Sequence, residues 1–205
     1  MTSRILPLLL LPLALNGAET EKIRNAQAVV LEAVLDPGES RIIRGDLPSV
    51  TVYCQPGTVA IAATGEKPRT VAVQAGDVAF LPPQARILKN AGTAPLRIVR
   101  VDLLGKGSDE TWGTTGISHY KLLVENRFAR VYDIRVAAGA TEPLHTHKDR
   151  VVVCLSGADI VHTMPDGRTE PTSLKAGDIL WRTGATHIGH NTGKTDLWVI
   201  AIEPK

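Results

Sequence analysis

The sequence lacks an excess of charge of either sign: Lys and Arg total 23 and Asp and Glu total 21 among 205 residues. It has no run of basic residues, and only 4% of its residues are aromatic. Proteins that bind nucleic acid or an anionic membrane need a basic surface, and many RNA-binding domains also need aromatic side chains. We therefore expect no nucleic acid among the partners of this protein, and no membrane once the N-terminal segment described next has been removed.

A long apolar segment is also missing. The longest apolar run, Ile5–Leu15, is interrupted by two prolines and is shorter than the roughly 20 residues that a transmembrane helix requires. Arg4 precedes this run, and the small residues Gly17 and Ala18 follow it, which is the order of parts in a secretory signal peptide. A buried N-terminal helix is the alternative, which the prolines disfavour. We expect residues 1–18 to be a cleaved signal peptide and the protein to be secreted or periplasmic.

The sequence repeats itself at a spacing of about one hundred residues. The matching segments are Leu35–Gly38 with Val136–Gly139, Val52–Gly57 with Val152–Gly157, Ala75–Asp77 with Ala176–Asp178, Asn90 with Asn191, and Leu96–Val101 with Leu197–Ile202. Five matches in one register exceed what chance would give, so the chain is predicted to contain two copies of one structural unit.

Cysteine is scarce, and the two that occur, Cys54 and Cys154, stand at equivalent positions of the repeat. In an oxidising compartment they could form a disulfide. Bridged cysteines need Cα atoms within about 7 Å, however, and two cysteines buried in separate units cannot meet that condition. The sequence favours two free buried thiols.

Short runs of Val and Ile, such as Val151–Leu155 and Leu197–Ile202, are bounded by Gly, Pro, Asp and Asn. This pattern predicts the antiparallel strands of a sandwich or barrel, and no part of the mature chain shows sustained helical periodicity. Pro165–Gly167 predicts a hairpin turn in which the glycine takes a positive φ. Gly105–Gly116, which is rich in Gly, Ser and Thr, is interpreted as a linker between the halves.

The second half carries two groups of spaced residues: Gly139, His145, His147 and Gly157, then Gly177, Gly184, His187 and Asn191. They resemble the two-part signature of the cupin superfamily, and Glu125–Glu203 is similar to small conserved-barrel (type 2) cupins. The first half keeps only glycines, Asp77, Pro82 and Asn90. The resemblance implies an all-β bicupin of two tandem jelly-roll (double-stranded β-helix) barrels. The expected domains are a degenerate N-terminal barrel at 19–104, a linker at 105–117 and a C-terminal barrel at 118–205.

The resemblance implies a metal site at His145, His147 and His187. Residues i and i+2 of a strand face the same side, so His145 and His147 should both point into the barrel, where His187 can complete the set. Three neutral imidazoles suit divalent Fe, Mn, Zn, Ni or Cu. The alternative is a metal-free barrel whose histidines bind one another by hydrogen bonds.

The chain departs from the family pattern at two positions. Arg150 stands where the family has its acidic ligand, and Arg182 stands where it has a proline. A guanidinium cannot bind a metal, so the site holds three histidines or is weakened. Arg150 could instead bind the carboxylate of a substrate, or it could form a salt bridge with Asp149 or Glu142. Arg182 is a second candidate for anion binding.

Two further side chains are interpreted as lining the cavity, Trp181 beside Arg182 and Cys154 on the inward phase of its strand. No residue before His119 is a histidine, and the first half is expected to place Arg44, Asp46 and Arg86 where the second half has its ligands. We therefore expect no metal in the first barrel.

Two classes of function remain open. The resemblance implies either a metal-dependent oxygenase, isomerase or lyase, or a non-catalytic cupin that binds a small ligand without stoichiometric metal. A small, anionic molecule is the expected ligand in both cases, and the sequence identifies no catalytic residue. Cupins often form homodimers, although a fused pair can satisfy the same interface within one chain.

We predict that the mature protein begins near Glu19 or Thr20, because signal peptidase cleaves after small residues such as those at positions 17 and 18. Mass spectrometry of the exported product measures this directly. An intact chain that retains Met1 and accumulates in the cytoplasm would contradict the prediction.

Overall fold

The computed structural model describes residues 19–110 and 117–205, which form eighteen β-strands and no helix. The predicted signal peptide and residues 111–116 of the predicted linker lie outside the described residues. The first half contains β1 (Thr20–Arg24), β2 (Ala28–Leu35), β3 (Ser40–Ile43), β4 (Ser49–Tyr53), β5 (Gly57–Ala63), β6 (Arg69–Val73), β7 (Val78–Leu81), β8 (Arg86–Asn90) and β9 (Leu96–Leu103).

The second half repeats this order. Its strands are β10 (Tyr120–Glu125), β11 (Ala129–Val136), β12 (His145–His147), β13 (Arg150–Ser156), β14 (Asp159–Thr163), β15 (Thr169–Ser173), β16 (Ile179–Arg182), β17 (Ala185–Asn191) and β18 (Leu197–Pro204). The predicted hairpin joins β14 to β15, and Gly167 has the positive φ, 84°, that its turn requires. Among the described residues, no helix has the length and hydropathy needed to cross a membrane.

Each half forms one five-stranded and one four-stranded antiparallel sheet. The five-stranded orders are β1-β2-β9-β4-β7 and β10-β11-β18-β13-β16, and the four-stranded orders are β3-β8-β5-β6 and β12-β17-β14-β15. The two topologies are identical when nine is added to each strand number of the first half. This arrangement confirms the predicted fold class, two tandem cupin jelly-roll barrels.

Three apolar clusters hold the molecule together. One fills the first barrel around Leu35 and Leu88, and another fills the second barrel around Val136 and Ile160. The third joins side chains of both halves on the outer faces of the five-stranded sheets, which therefore pack back to back. It contains Ala28, Val30, Val50, Val52, Val99, Val101 and Leu103 from the first half and Ala129, Val131, Val151, Val153, Ile200 and Ile202 from the second.

Burial on both faces explains the composition of the central strands. Every residue of β4 is buried, and so are the first five residues of β13. A strand covered on both faces becomes a continuous apolar run and loses the alternation of a strand with one wet face. The cysteines at the ends of these runs are free, as predicted. Cys154 lies inside the second barrel, whereas Cys54 is only partly buried and packs against the layer between the halves.

One asparagine occupies the same structural position in each half. The Asn90 amide donates hydrogen bonds to the carbonyl oxygens of Leu35 and Ala94 at 2.8 Å, and its own oxygen accepts one from the Gly92 backbone at 2.9 Å. Asn191 makes the same three bonds to Val136, Thr195 and Gly193 at 2.9, 2.9 and 3.0 Å. Both asparagines are fully buried, so each ties the end of one strand to the loop before another.

We predict that Asn90→Ala and Asn191→Ala destabilise the protein by similar amounts, about 3 kcal/mol each, because each change leaves three backbone groups without their partner. Urea unfolding measures the change in the free energy of unfolding, with the exposed neighbour Lys89→Ala as the control. A cost below about 1 kcal/mol at either asparagine would show that water replaces these bonds easily.

Candidate metal centre

The three predicted histidines meet where β12 pairs with β17. His145 lies directly opposite His187 in the register, and His147 follows two residues later on the same face. All three side chains are buried, whereas Thr146 between them is exposed. One ring nitrogen of each histidine lies within 4.8 Å of the others. In residues 19–110 and 117–205 no other group of three His, Cys, Asp or Glu side chains could hold a metal ion.

Hydrogen bonds fix which ring nitrogen of His145 faces the centre. Its Nδ1 lies 2.7 Å from the carbonyl oxygen of Pro143. A carbonyl only accepts, so Nδ1 carries the proton and Nε2 presents a lone pair. This Nε2 lies 3.0 Å from Nε2 of His147, whose Nδ1 is 3.6 Å from Oε1 of the buried Glu203. The Nδ1 of His147 makes no hydrogen bond within the described residues; when it carries the proton of the ring, the Nε2 of His147 also presents a lone pair to the centre.

Burial keeps His147 and His187 neutral. Burial first, then Arg150 and the neighbouring histidines, lowers the pKa of His147 far below its usual value. Burial and the adjacent His162 and His145 lower the pKa of His187 to about 3. Metal ions bind the neutral imidazole, so these two side chains are ready donors at physiological pH, and together with His145 they fit a divalent metal.

Two residues outside the sequence motif complete the centre. The Tyr120 hydroxyl, on β10, lies 3.0 Å from Nε2 of His145 and 3.0 Å from Nε2 of His147. It shares the lining of one cavity with Glu142, a buried carboxyl whose pKa burial raises. Glu142 fits there because Gly189 has no side chain, since a Cβ at that position would lie 2.2 Å from Oε2 of Glu142. Sequence analysis did not identify Tyr120, and it treated Glu142 only as a partner for Arg150.

Arg150 and Arg182 face each other across β13 and β16. Arg150 is 8% exposed and makes only long hydrogen bonds, from Nη1 to the carbonyl oxygens of Lys148 and Thr183 at 3.3 and 3.5 Å. Neither arginine forms an ion pair with any carboxylate in the described part of the chain. Asp149, one expected partner of Arg150, instead accepts hydrogen bonds from Gln27 at 2.8 Å and from the Gly184 backbone at 2.7 Å.

A cavity of about 60 Å³ connects the histidines to the arginines. Its polar lining consists of Tyr120, Glu142, His147, Arg150, His162, Thr172, Arg182 and His187. By the usual measure of about 10–15 Å³ per water molecule, it has room for a few waters or one small ligand. His162, to which sequence analysis gave no role, stacks on His187 with 4.4 Å between ring centroids.

Two expected lining residues lie elsewhere. Trp181 packs into the layer between the halves, because side chains alternate along β16 and its neighbours Leu180 and Arg182 take the inward phase. Cys154 does point into the second barrel, but it belongs to the apolar core and is absent from the cavity wall.

The first half has a different set of side chains at the equivalent positions. Arg86 stands opposite Ile43 in the register, as His187 stands opposite His145. The equivalents of His145 and His147 are therefore Ile43 and Gly45, and the expected Arg44 and Asp46 are each displaced by one residue. Arg86 donates hydrogen bonds to the carbonyl oxygens of Pro82 and Gln84.

The chain has the cupin fold, as comparison with solved structures shows. AerE from Microcystis aeruginosa aligns over 92% of this chain and 98% of its own, with a TM-score of 0.65 and 12% identity. A cupin 2 conserved barrel domain protein from Leptotrichia buccalis aligns over 93% of this chain and 89% of its own, with a TM-score of 0.61 and 13% identity. A variant of Bacillus subtilis oxalate decarboxylase aligns over 87% of this chain and 69% of its own, with a TM-score of 0.63 and 15% identity. No protein-family model and no curated protein matches the sequence.

We predict that Glu203→Gln stabilises the chelator-treated protein increasingly as the pH rises from about 5 to about 8. Burial raises the pKa of Glu203 above the unfolded value of about 4.5, so the folded state holds this proton more tightly than the unfolded chain. The resulting stability is present at low pH and is lost as the pH rises through the folded pKa. Glutamine has no such proton. Urea unfolding at several pH values measures the difference in the free energy of unfolding between Glu203→Gln and the wild type. This difference should grow with pH, and a constant difference would contradict the prediction.

Proposed function

We propose that the protein is an exported bicupin whose second barrel binds one divalent metal through His145, His147 and His187. The observation that carries the proposal is the convergence of three buried imidazoles on one point. The Nε2 atoms of His145 and His147 lie 3.0 Å apart, and the Nε2 of His145 presents a lone pair because its Nδ1 donates to Pro143. When His147 also carries its proton on Nδ1, the two lone pairs repel each other unless a cation lies between them. A metal ion removes this repulsion, and the enclosing barrel keeps water from competing.

The three histidines indicate a class of metal ions and no single metal. Imidazole donors suit Fe, Mn, Zn, Ni and Cu. The structurally similar Bacillus subtilis oxalate decarboxylase has Mn(II) centres, which supports a redox-capable ion of this group. When bound, such an ion would polarise an oxygen atom of the ligand. The chain itself supplies Glu142, a buried carboxyl beside the centre that can take up or release a proton.

We further propose that the ligand is a small anion held by Arg150 and Arg182. Arg150 is buried and forms no ion pair among the residues that the structure describes, and Arg182 lines the same small cavity, so a small anion between them would offset the cost of burying the charge of Arg150. A planar carboxylate matches the geometry of a guanidinium, and a metal in the same cavity would attract the same group. The first barrel has Ile43 and Arg86 at the positions equivalent to His145 and His187, and it is proposed as a degenerate copy without the metal site.

We predict about one metal ion per chain in the untagged mature protein, lost in His187→Ala and retained in Arg86→Ala. The two variants change equivalent positions of the two barrels, so the second serves as a matched control for the first. Elemental analysis measures the metal content, and circular dichroism checks the fold. Metal retained in His187→Ala, or lost in Arg86→Ala, would place the site elsewhere.

We also predict that oxalate or phosphate raises the melting temperature of the metal-loaded protein by several degrees, since a ligand that binds only the folded state stabilises it by mass action. Arg150→Glu should abolish this shift, whereas the same charge change at the exposed Arg69 should leave it intact. An equal rise in the melting temperature of the metal-free protein would favour the alternative function, a non-catalytic cupin that binds a small ligand without metal. A shift that survives in Arg150→Glu would refute the role of Arg150.

A further inference from the structure

The proposed centre lacks the acidic ligand of the family pattern, because Arg150 stands at that position. The structure brings another oxygen to the histidines. The Tyr120 hydroxyl, Nε2 of His145 and Nε2 of His147 form a triangle with all three sides equal to 3.0 Å. Tyr120 comes from β10, at the edge of the five-stranded sheet, and so reaches the centre from outside the histidine motif.

The size of this triangle suits the binding of a metal ion. When a metal binds three donors at right angles, the donors are separated by √2 times the metal–donor distance. Dividing 3.0 Å by √2 gives about 2.1 Å, which is the usual metal–nitrogen distance. One ion could therefore contact all three atoms.

When His147 carries its proton on Nδ1, hydrogen bonding alone does not satisfy the three atoms. A phenol has one proton, so Tyr120 can serve at most one of the two Nε2 lone pairs. Glu142 lines the same cavity as Tyr120 and can compete for this proton, because Oε1 of Glu142 is buried without a hydrogen-bond partner in the described part of the chain. When the phenol donates to Glu142, the phenol oxygen turns its lone pairs toward the histidines. Three lone pairs then face one point.

We propose that the phenol oxygen of Tyr120 is the fourth protein ligand of the metal, in the role that an acidic side chain has in the family pattern, and that Glu142 orients it. The proposal rests on the proposed metal site at the three histidines. On binding of Fe(III), the O–H bond of Tyr120 breaks, the Glu142 carboxylate takes the proton, and the phenolate oxygen forms the bond to iron. The centre gains one anionic donor although its position for an acid holds an arginine.

The ring of Tyr120 is held in place by packing that a phenylalanine preserves. It meets Tyr132 edge to face with 5.8 Å between ring centroids, and it also contacts the rings of His145 and His147. Tyr120→Phe removes only the hydroxyl, so it should fold normally. Tyr132→Phe removes a hydroxyl from the neighbouring buried ring and is the matched control.

The test uses the untagged mature protein, loaded anaerobically with Fe(II) and then oxidised in air. Iron content is measured by elemental analysis, and phenolate-to-Fe(III) charge transfer by visible absorption and resonance Raman spectroscopy. We expect the charge-transfer band in the wild type and in Tyr132→Phe. We expect no band in Tyr120→Phe, together with iron affinity reduced about tenfold or more.

The outcomes separate this inference from the proposed function. Iron bound without a charge-transfer band in the wild type, or a band that survives in Tyr120→Phe, would overturn the role of Tyr120 and leave the three-histidine site intact. A wild-type protein that binds neither iron nor any other divalent metal would overturn the proposed function, and the fourth ligand with it.

Discussion

The back-to-back packing of the two five-stranded sheets determines how both barrels can be used. It buries strands such as β4 and β13 on both faces, and buried apolar area is the main source of stability in a fold without helices. It also prevents a ligand from approaching either barrel through its five-stranded sheet, because the outer face of that sheet is covered by the other half. The cavity of the second barrel is therefore bounded by the doubly buried sheet, including Arg150 and Arg182, on one side and by β12, β14 and β17 on the other.

Desolvation links this packing to the chemistry of the centre. The burial that keeps His147 and His187 neutral also raises the pKa of Glu142 and of Glu203. In an open site these histidines would take up protons in mildly acidic conditions. Inside the barrel they remain donors, and the two buried carboxyls hold protons more readily than exposed ones. The candidate centre therefore places uncharged donors with lone pairs on one side of the cavity, and the positive charges of Arg150 and Arg182 lie on the other side.

The fold could be predicted from the sequence because the repeat and the spaced glycines are local patterns with few alternative meanings. The histidine set could be predicted for the same reason: His145 and His147 are two residues apart on one strand. Tyr120 could not, because it lies 25 residues before His145 on a strand of the opposite sheet, reaches the centre only when the two sheets face each other, and is marked by no motif. Trp181 was placed wrongly since its strand lies between two cores, so both phases of its side chains are buried.

The equivalent positions of the first half carry other side chains than the histidine set. Ile43 replaces the first histidine and joins the apolar core, while Arg86 binds the carbonyl oxygens of its own loop. Asn90 nevertheless keeps all three hydrogen bonds that Asn191 makes in the second half. The two halves thus share the asparagine hydrogen bonds that tie a strand end to a loop, and the apolar side chains of the layer between the five-stranded sheets. The first half therefore supports the candidate metal centre in two ways, by burying the outer sheet of the second barrel and by the hydrogen bond from Gln27 to Asp149.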